Sequence, residues 1–214
     1  MNIISNLLNS ILGYFFNITG DFGIAIILLT LAVRVVLIPL SFRQKFGMQE
    51  QQKLAKGLEE IKEKYKDNKV KLESETQKYY QENSKSILGC LTSFLQLPIF
   101  FALYNVILKM PMSTATMLVP WVASLKMADN FFIIPTAYVI SVLIPNLLPY
   151  VPFLSITTQA KISKTNILVS SIMSAIITFK APIALGLYLI TTSLFSAIEE
   201  IIFRIYVRRR ELVA

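Results

Sequence analysis

The 214-residue chain contains no histidine, a single cysteine, Cys90, and only seven glycines, none of them grouped. Without histidine, neither a Ser/His nor a Cys/His catalytic pair can be assembled. A zinc site would have to be built almost wholly from carboxylates, and one cysteine forms no disulfide within the chain. No GxxxxGK[ST] stretch is available to cradle phosphates, so the sequence offers no site for hydrolysing ATP. These absences argue against an enzyme and against a bound cofactor or metal.

What is abundant is apolar. Hydrophobic residues make up 54% of the chain, and the mean hydropathy of +0.58 is well above that of a soluble domain. Apolar runs recur at Phe22 to Leu40, Ile87 to Leu108, Phe131 to Leu148, Ile167 to Phe179 and Ile183 to Ile202. Most reach the roughly 20 residues that a helix needs to cross about 30 Å of hydrocarbon. The expected fold is an all-α membrane protein with five transmembrane helices. The shortness of the fourth run, and Pro135 and Pro145 in the third, leave a three- or four-span count open.

The expected order is a single domain over residues 1–214. It comprises an external interfacial helix (1–20), a first span (22–41), a cytoplasmic helical hairpin (43–85), a second span (86–108) and an external loop (109–130). A third span (131–149), a cytoplasmic loop (150–165), a fourth span (166–180), a fifth span (182–203) and a basic cytoplasmic tail (204–214) follow. The first segment has no positive residues before its apolar positions and no small-residue cleavage site, so it is expected to stay in the mature chain. There Ile3, Ile4, Leu7, Leu8, Ile11, Leu12, Phe15 and Phe16 recur at helical spacing opposite Asn2, Ser5, Asn6, Asn9 and Ser10, as an amphipathic helix in the interface would require.

Charge orients the chain. Arg43 to Lys85 holds eleven basic residues; with Lys161, Lys164, Arg204, Arg208, Arg209 and Arg210 they place seventeen on one face. The other face has Lys109, Lys126 and Lys180. Basic residues near span ends stay in the cytoplasm, which puts the amino terminus outside and the carboxyl terminus inside. Within the basic stretch, Leu54, Leu58, Ile61 and Tyr65, then Leu72, Thr76 and Tyr79, trace a helical seam broken at Lys66 to Lys69. Two antiparallel helices projecting into water would present this pattern, either as a docking element or as a solvated linker.

Arg34 is the least expected residue, because an arginine inside a span costs about 2.5 to 3.5 kcal/mol on insertion scales. It either snorkels toward the headgroups or faces water inside the protein. Hydroxyl and amide groups four apart favour the second reading: Thr30 before Arg34, Thr92 before Gln96, Ser170 with Ser174 and Thr178, and Tyr188 with Thr192 and Ser196. Any one stripe is common in membrane helices, but together with Arg34 they describe a hydrated groove. Arg34, Thr30, Gln96, Thr92, Ser174, Tyr188 and Thr192 are the candidate substrate-binding residues. Glu199 and Glu200 stand at the cytoplasmic end of the last span, so no acid is expected near Arg34. A small anion transporter or channel with Arg34 as its binding charge is the alternative, although no internal repeat supports it.

The residues also carry a resemblance. Leu29 to Gln44, LTLAVRVVLIPLSFRQ, resembles the first core span of the YidC/Oxa/Alb insertases, with Arg34 as the groove arginine. The charged stretch ending in Lys64-Tyr65-Lys66 is similar to that family's cytoplasmic hairpin. Leu88 to Tyr104, LGCLTSFLQLPIFFALY, resembles the second span. Trp121 with Asp129 to Pro135 resembles the approach to the third. Pro182, Gly186, Leu187 and Tyr188, then Thr191 to Phe195, resemble the entry to the last. The chain departs from the family pattern at Lys56, Thr92, Leu189 and Ser193. Neither a large periplasmic domain nor a lipobox cysteine is evident, as in a compact bacterial member. The resemblance implies a multi-pass plasma-membrane insertase that folds and inserts membrane proteins, alone or beside the Sec translocon. Its partners would be nascent membrane proteins, the lipid bilayer and, through hairpin and tail, the ribosome, the translocon and signal-recognition components. No small-molecule substrate is implied.

Overall fold

The computed structural model describes residues 2–66, 68–82, 101–102, 104–107, 115–151, 153–154 and 164–213. Among them there is no β-strand; helices α1 (Asn2–Thr19), α2 (Phe22–Lys64), α3 (Lys69–Glu82), α4 (Ile133–Leu147), α5 (Lys164–Phe179) and α6 (Ile183–Val213) carry the fold. Among the described residues, three stretches are long and apolar enough to cross a membrane: α2, α4 with the 3-10 turn that extends it to Tyr150, and α6 up to Arg210. The apolar helix at Ile167–Phe179 is shorter. Most of the expected second span, with Thr92 and Gln96, lies outside the described residues.

Helix α1 ends at Gly20, whose φ of 69° is the left-handed conformation that closes many helices. Its amide donates to the Phe16 carbonyl. The chain turns there, and Phe16 stacks on Phe22 with ring centroids 3.9 Å apart. Leu8 and Leu12 are buried, with Ile11, Phe15 and Phe16 packed beside them. The apolar face of α1 thus covers the end of α2, while Leu7, Tyr14 and Ile18 stay exposed.

Helix α2 runs 43 residues without a break, through Pro39. At 1.5 Å per residue that is about 64 Å, twice the hydrocarbon thickness, so its second half extends well beyond any span. The first span and the first arm of the hairpin are therefore one helix. Tyr65 to Asn68 reverses the chain, and Asn68 caps α3 by accepting from the Lys71 amide at 3.1 Å. The arms return so closely that a Cβ on Gly57 would collide with the Tyr79 hydroxyl. The seam positions Leu54, Leu58, Ile61, Leu72, Thr76 and Tyr79 are half-buried between the arms, with Glu59, Glu60, Lys62 and Glu63 exposed.

Two buried aspartates organise the end opposite the hairpin. Asp21 caps α2 through the Ile24 amide at 3.0 Å and also accepts from the Thr116 hydroxyl and the Met117 amide, each at 2.7 Å. Asp129 precedes α4 and accepts from Ile134 at 2.8 Å, Phe131 at 3.0 Å and the Trp121 indole at 3.1 Å. Burial alone would raise both carboxyls, but these donors outweigh it and hold each below the usual carboxylate range. Phe132, three residues after Asp129, has a φ of 56°, unusual for a residue with a bulky side chain. Its ring stacks on Phe179 at the end of α5. The same loop supplies carbonyls of Met127 and Leu125 to the free amides of Ile183 and Ala184 that open α6, both at 2.9 Å.

Helix α6 packs against α2 and α4, and α4 against α5. The main apolar core lies at the aspartate end, where Ala25, Ile26, Leu29, Val106, Ile107, Ile183, Ala184 and Leu187 are buried together. A second, smaller cluster closes the hairpin end with Phe203, Val207 and Phe42. Phe46 joins it edge-on to Phe203, 5.0 Å away.

Candidate functional site

Between the two apolar clusters, the α2–α6 contact turns polar. Helix α2 carries Thr30, Arg34, Ser41 and Lys45, and α6 carries Tyr188, Thr192, Ser196, Glu199 and Glu200. The spacing is helical on both elements, so each set shares one face. Lys45 Nζ lies 2.6 Å from Glu200 Oε2, which fixes the register of the two helices at the hairpin end.

Arg34 is 9% exposed, and no hydrogen bond or ion pair joins it to another described residue. Tyr188, 4% exposed, and Glu199 lie within its electrostatic reach. Glu199 corrects the expectation from sequence that no acid approaches the arginine. Its position in the chain suggested the far end of the span, but α6 lies alongside α2 and brings its buried carboxylate to Ser41, whose hydroxyl donates to it. Tyr138 on α4 lies within electrostatic reach of Tyr188, so a third helix contributes to the same band.

The remaining candidates are placed less suggestively. Thr30 is buried and donates to the Ile26 carbonyl at 2.7 Å. Ser174 donates to Ser171 at 2.9 Å, and Thr178 to Ser174 at 2.8 Å. These hydroxyls are satisfied by their own helices, as is common for Ser and Thr in apolar surroundings. Thr192 differs, because its buried Oγ1 has no partner among the described residues. Arg34 and Tyr188 are brought within electrostatic reach of each other, whereas Ser174 on α5 belongs to a helix that packs on α4.

Toward the hairpin end, the band opens into a cavity of about 330 Å³ lined by Lys45, Gln52, Asn146, Ser196, Glu200 and Arg204. Arg204 Nε lies 2.8 Å from Glu200 Oε1, and Arg204 Nη1 donates to the Leu154 carbonyl at 3.1 Å. Sequence reasoning missed Ser41, Lys45, Glu199 and Tyr138. The signal for the first two was available, since they follow Arg34 at intervals of seven and four along one helix face.

A family model described as 60Kd inner membrane protein matches residues 14–210. The chain belongs to this family. Several curated relatives are each named membrane protein insertase YidC. One from Helicobacter pylori is 33% identical, over 90% of this chain and 34% of its own length. One from Fusobacterium nucleatum is 34% identical, over 94% of this chain and 96% of its own. One from Caldanaerobacter subterraneus is 30% identical, with 95% of each covered. The chain therefore spans about a third of the Helicobacter relative and nearly all of the other two. Family membership and the apolar helices together make it an inner-membrane protein.

Proposed function

We propose that this protein is a non-enzymatic membrane protein insertase. It moves short polar tails across the bilayer and releases the following transmembrane segment sideways into lipid, without nucleotide or cofactor. The observation that carries the reading is Arg34, buried on α2 within reach of Tyr188 and with no ion-pair partner among the described residues. A cation within a span that makes no ion pair or hydrogen bond is costly to keep unless water or a visiting group solvates it. The names of the relatives, membrane protein insertase YidC, support the insertase reading.

The physical steps follow from the charge. At an effective dielectric near 20, a carboxylate arriving about 4 Å from the guanidinium gains on the order of 4 kcal/mol before desolvation is subtracted. That draws an acidic tail into the polar band. Burial of the transmembrane segment, at about 25 cal/mol per Å² of apolar surface, is far larger and drives its release into lipid. Exposed Val35, Val36, Leu194, Ile198 and Ile202 on α2 and α6 give that segment an apolar wall to leave along. The expected five-span groove, with Thr92 and Gln96 among its candidate binding residues, is the arrangement that would hold the tail.

The seventeen basic residues put the hairpin and the carboxyl terminus in the cytoplasm and the amino terminus outside. There the hairpin and basic tail would meet the ribosome, signal-recognition components and the Sec translocon, with the protein acting alone or beside the translocon. Reconstitution into liposomes tests the function. The protein should admit a single-span substrate with a short acidic tail, without nucleotide, and should pass no ion current. Current without insertion would mark an anion channel instead.

A further inference from the structure

Two buried charges of opposite sign, Arg34 on α2 and Glu199 on α6, lie within electrostatic reach of each other, and neither forms an ion pair among the described residues. The adjacent glutamate explains why Glu199 is left over. Glu200 takes both nearby cations, Lys45 at 2.6 Å and Arg204 at 2.8 Å. Glu199, only 4% exposed, keeps the Ser41 hydroxyl, while its Oε1 is buried without a hydrogen-bond partner. The charged groups that bear on it are Lys45, Arg34 and Glu200. A carboxylate so placed stabilises nothing by direct pairing, yet its field reaches the site where a tail would sit.

We propose that Glu199 is the resident counter-charge of Arg34 and a specificity-determining residue, setting how acidic an entering segment must be to bind. This rests on the insertase reading. A carboxylate on an arriving tail is attracted by Arg34 and repelled, from farther away, by Glu199. The resting protein therefore offers a weaker positive site than the arginine alone would make. Strongly acidic tails outcompete the resident charge, and neutral tails feel little of either. A tail with a lysine or arginine is repelled less than Arg34 alone would cause.

The test uses the full chain in liposomes and three single-span substrates identical except for an acidic, neutral or basic tail, with initial insertion rates compared as ratios to the neutral tail. Glu199→Gln should raise the acidic-to-neutral ratio several-fold, as expected for removing a like charge whose field reaches the site, and lower the basic-to-neutral ratio. Glu199→Asp should behave as wild type. Ser196→Asp, which adds a carboxylate one turn away on α6, should shift both ratios the opposite way. It keeps the test decisive should Glu199→Gln fail to accumulate. A purely structural role would change all three tails together, and that result, or unchanged ratios, overturns the proposal. Arg34→Ala run in parallel separates the two readings. If it lowers the acidic-to-neutral ratio while the Glu199 and Ser196 variants leave it unchanged, only this inference fails. If it has no effect, the reading of Arg34 fails first.

Discussion

Lys45 and Glu200 form an ion pair 2.6 Å long between α2 and α6, with side chains only 12% and 14% exposed. Glu200 also holds Arg204 at 2.8 Å, so one carboxylate neutralises two cations at the mouth of the polar band. Removing it leaves both cations largely buried and unpaired, a change that costs about 3 kcal/mol or more in buried settings. Glu200→Gln should therefore destabilise the protein more than Lys45→Met, which leaves the Arg204 partner in place. Helix content followed through a denaturant titration in detergent micelles would show the order; equal losses would mean that the Arg204 contact contributes nothing.

The aspartate end should be sensitive to acid. Asp21 and Asp129 have carboxyls held below the ordinary value, near 3.9 in an unfolded chain. A lowered folded value means that their contribution is fully present above about pH 5 and is lost as pH falls through the folded value, below about pH 4. Asp129→Asn should reduce stability at pH 7 and flatten the acid limb of the profile. The lone tryptophan, Trp121, donates to Asp129, so its fluorescence reports directly. An unaltered acid limb in Asp129→Asn would show that other groups govern it.

Close approach of α4 and α6 depends on Gly186. A Cβ there would run into Cγ2 of Ile134, and overpacking of this kind typically costs about 1–3 kcal/mol. Gly186→Ala should lower the unfolding midpoint, and adding Ile134→Ala should recover part of the loss beyond the additive expectation. Strictly additive effects would indicate that the helices move apart without penalty.

Much of this architecture could be read from the sequence, because its strongest features are periodic. Apolar runs announced α2, α4 and α6, and the 4-3-4 spacing of Leu54, Leu58, Ile61 and Tyr65 announced the hairpin seam. The unbroken helix through Pro39 was less legible, since proline more often ends a helix; here only one carbonyl, that of Val35, loses its partner, and Val35 is exposed. Arg34 stood out because charge is rare in spans. Glu199 did not, because its relation to Arg34 depends on how α6 packs along α2, and no local pattern encodes that distance. The roles of Asp21 and Asp129 were hidden for the same reason, as their partners Thr116 and Trp121 are joined through loops.

Topology gives a further test. With Cys90 replaced by serine, single cysteines at Lys66 or Lys69 should be labelled by a membrane-impermeant reagent only after the cells are opened. Labelling in intact cells would reverse the proposed orientation. Deleting Leu54 to Tyr79 with a short linker should leave the spans inserted, since the seam it removes is packed within the hairpin itself.

The most direct measurement is the insertion rate of a single-span substrate with an acidic tail into liposomes carrying wild type, Arg34→Lys or Arg34→Ala, beside a matched substrate with a neutral tail. If charge at this position does the attracting, Arg34→Lys keeps substantial activity. Arg34→Ala then slows the acidic tail about tenfold or more, a fraction of the gross attraction, and the neutral tail much less. Insertion of the acidic tail at the wild-type rate by Arg34→Ala would contradict the electrostatic account.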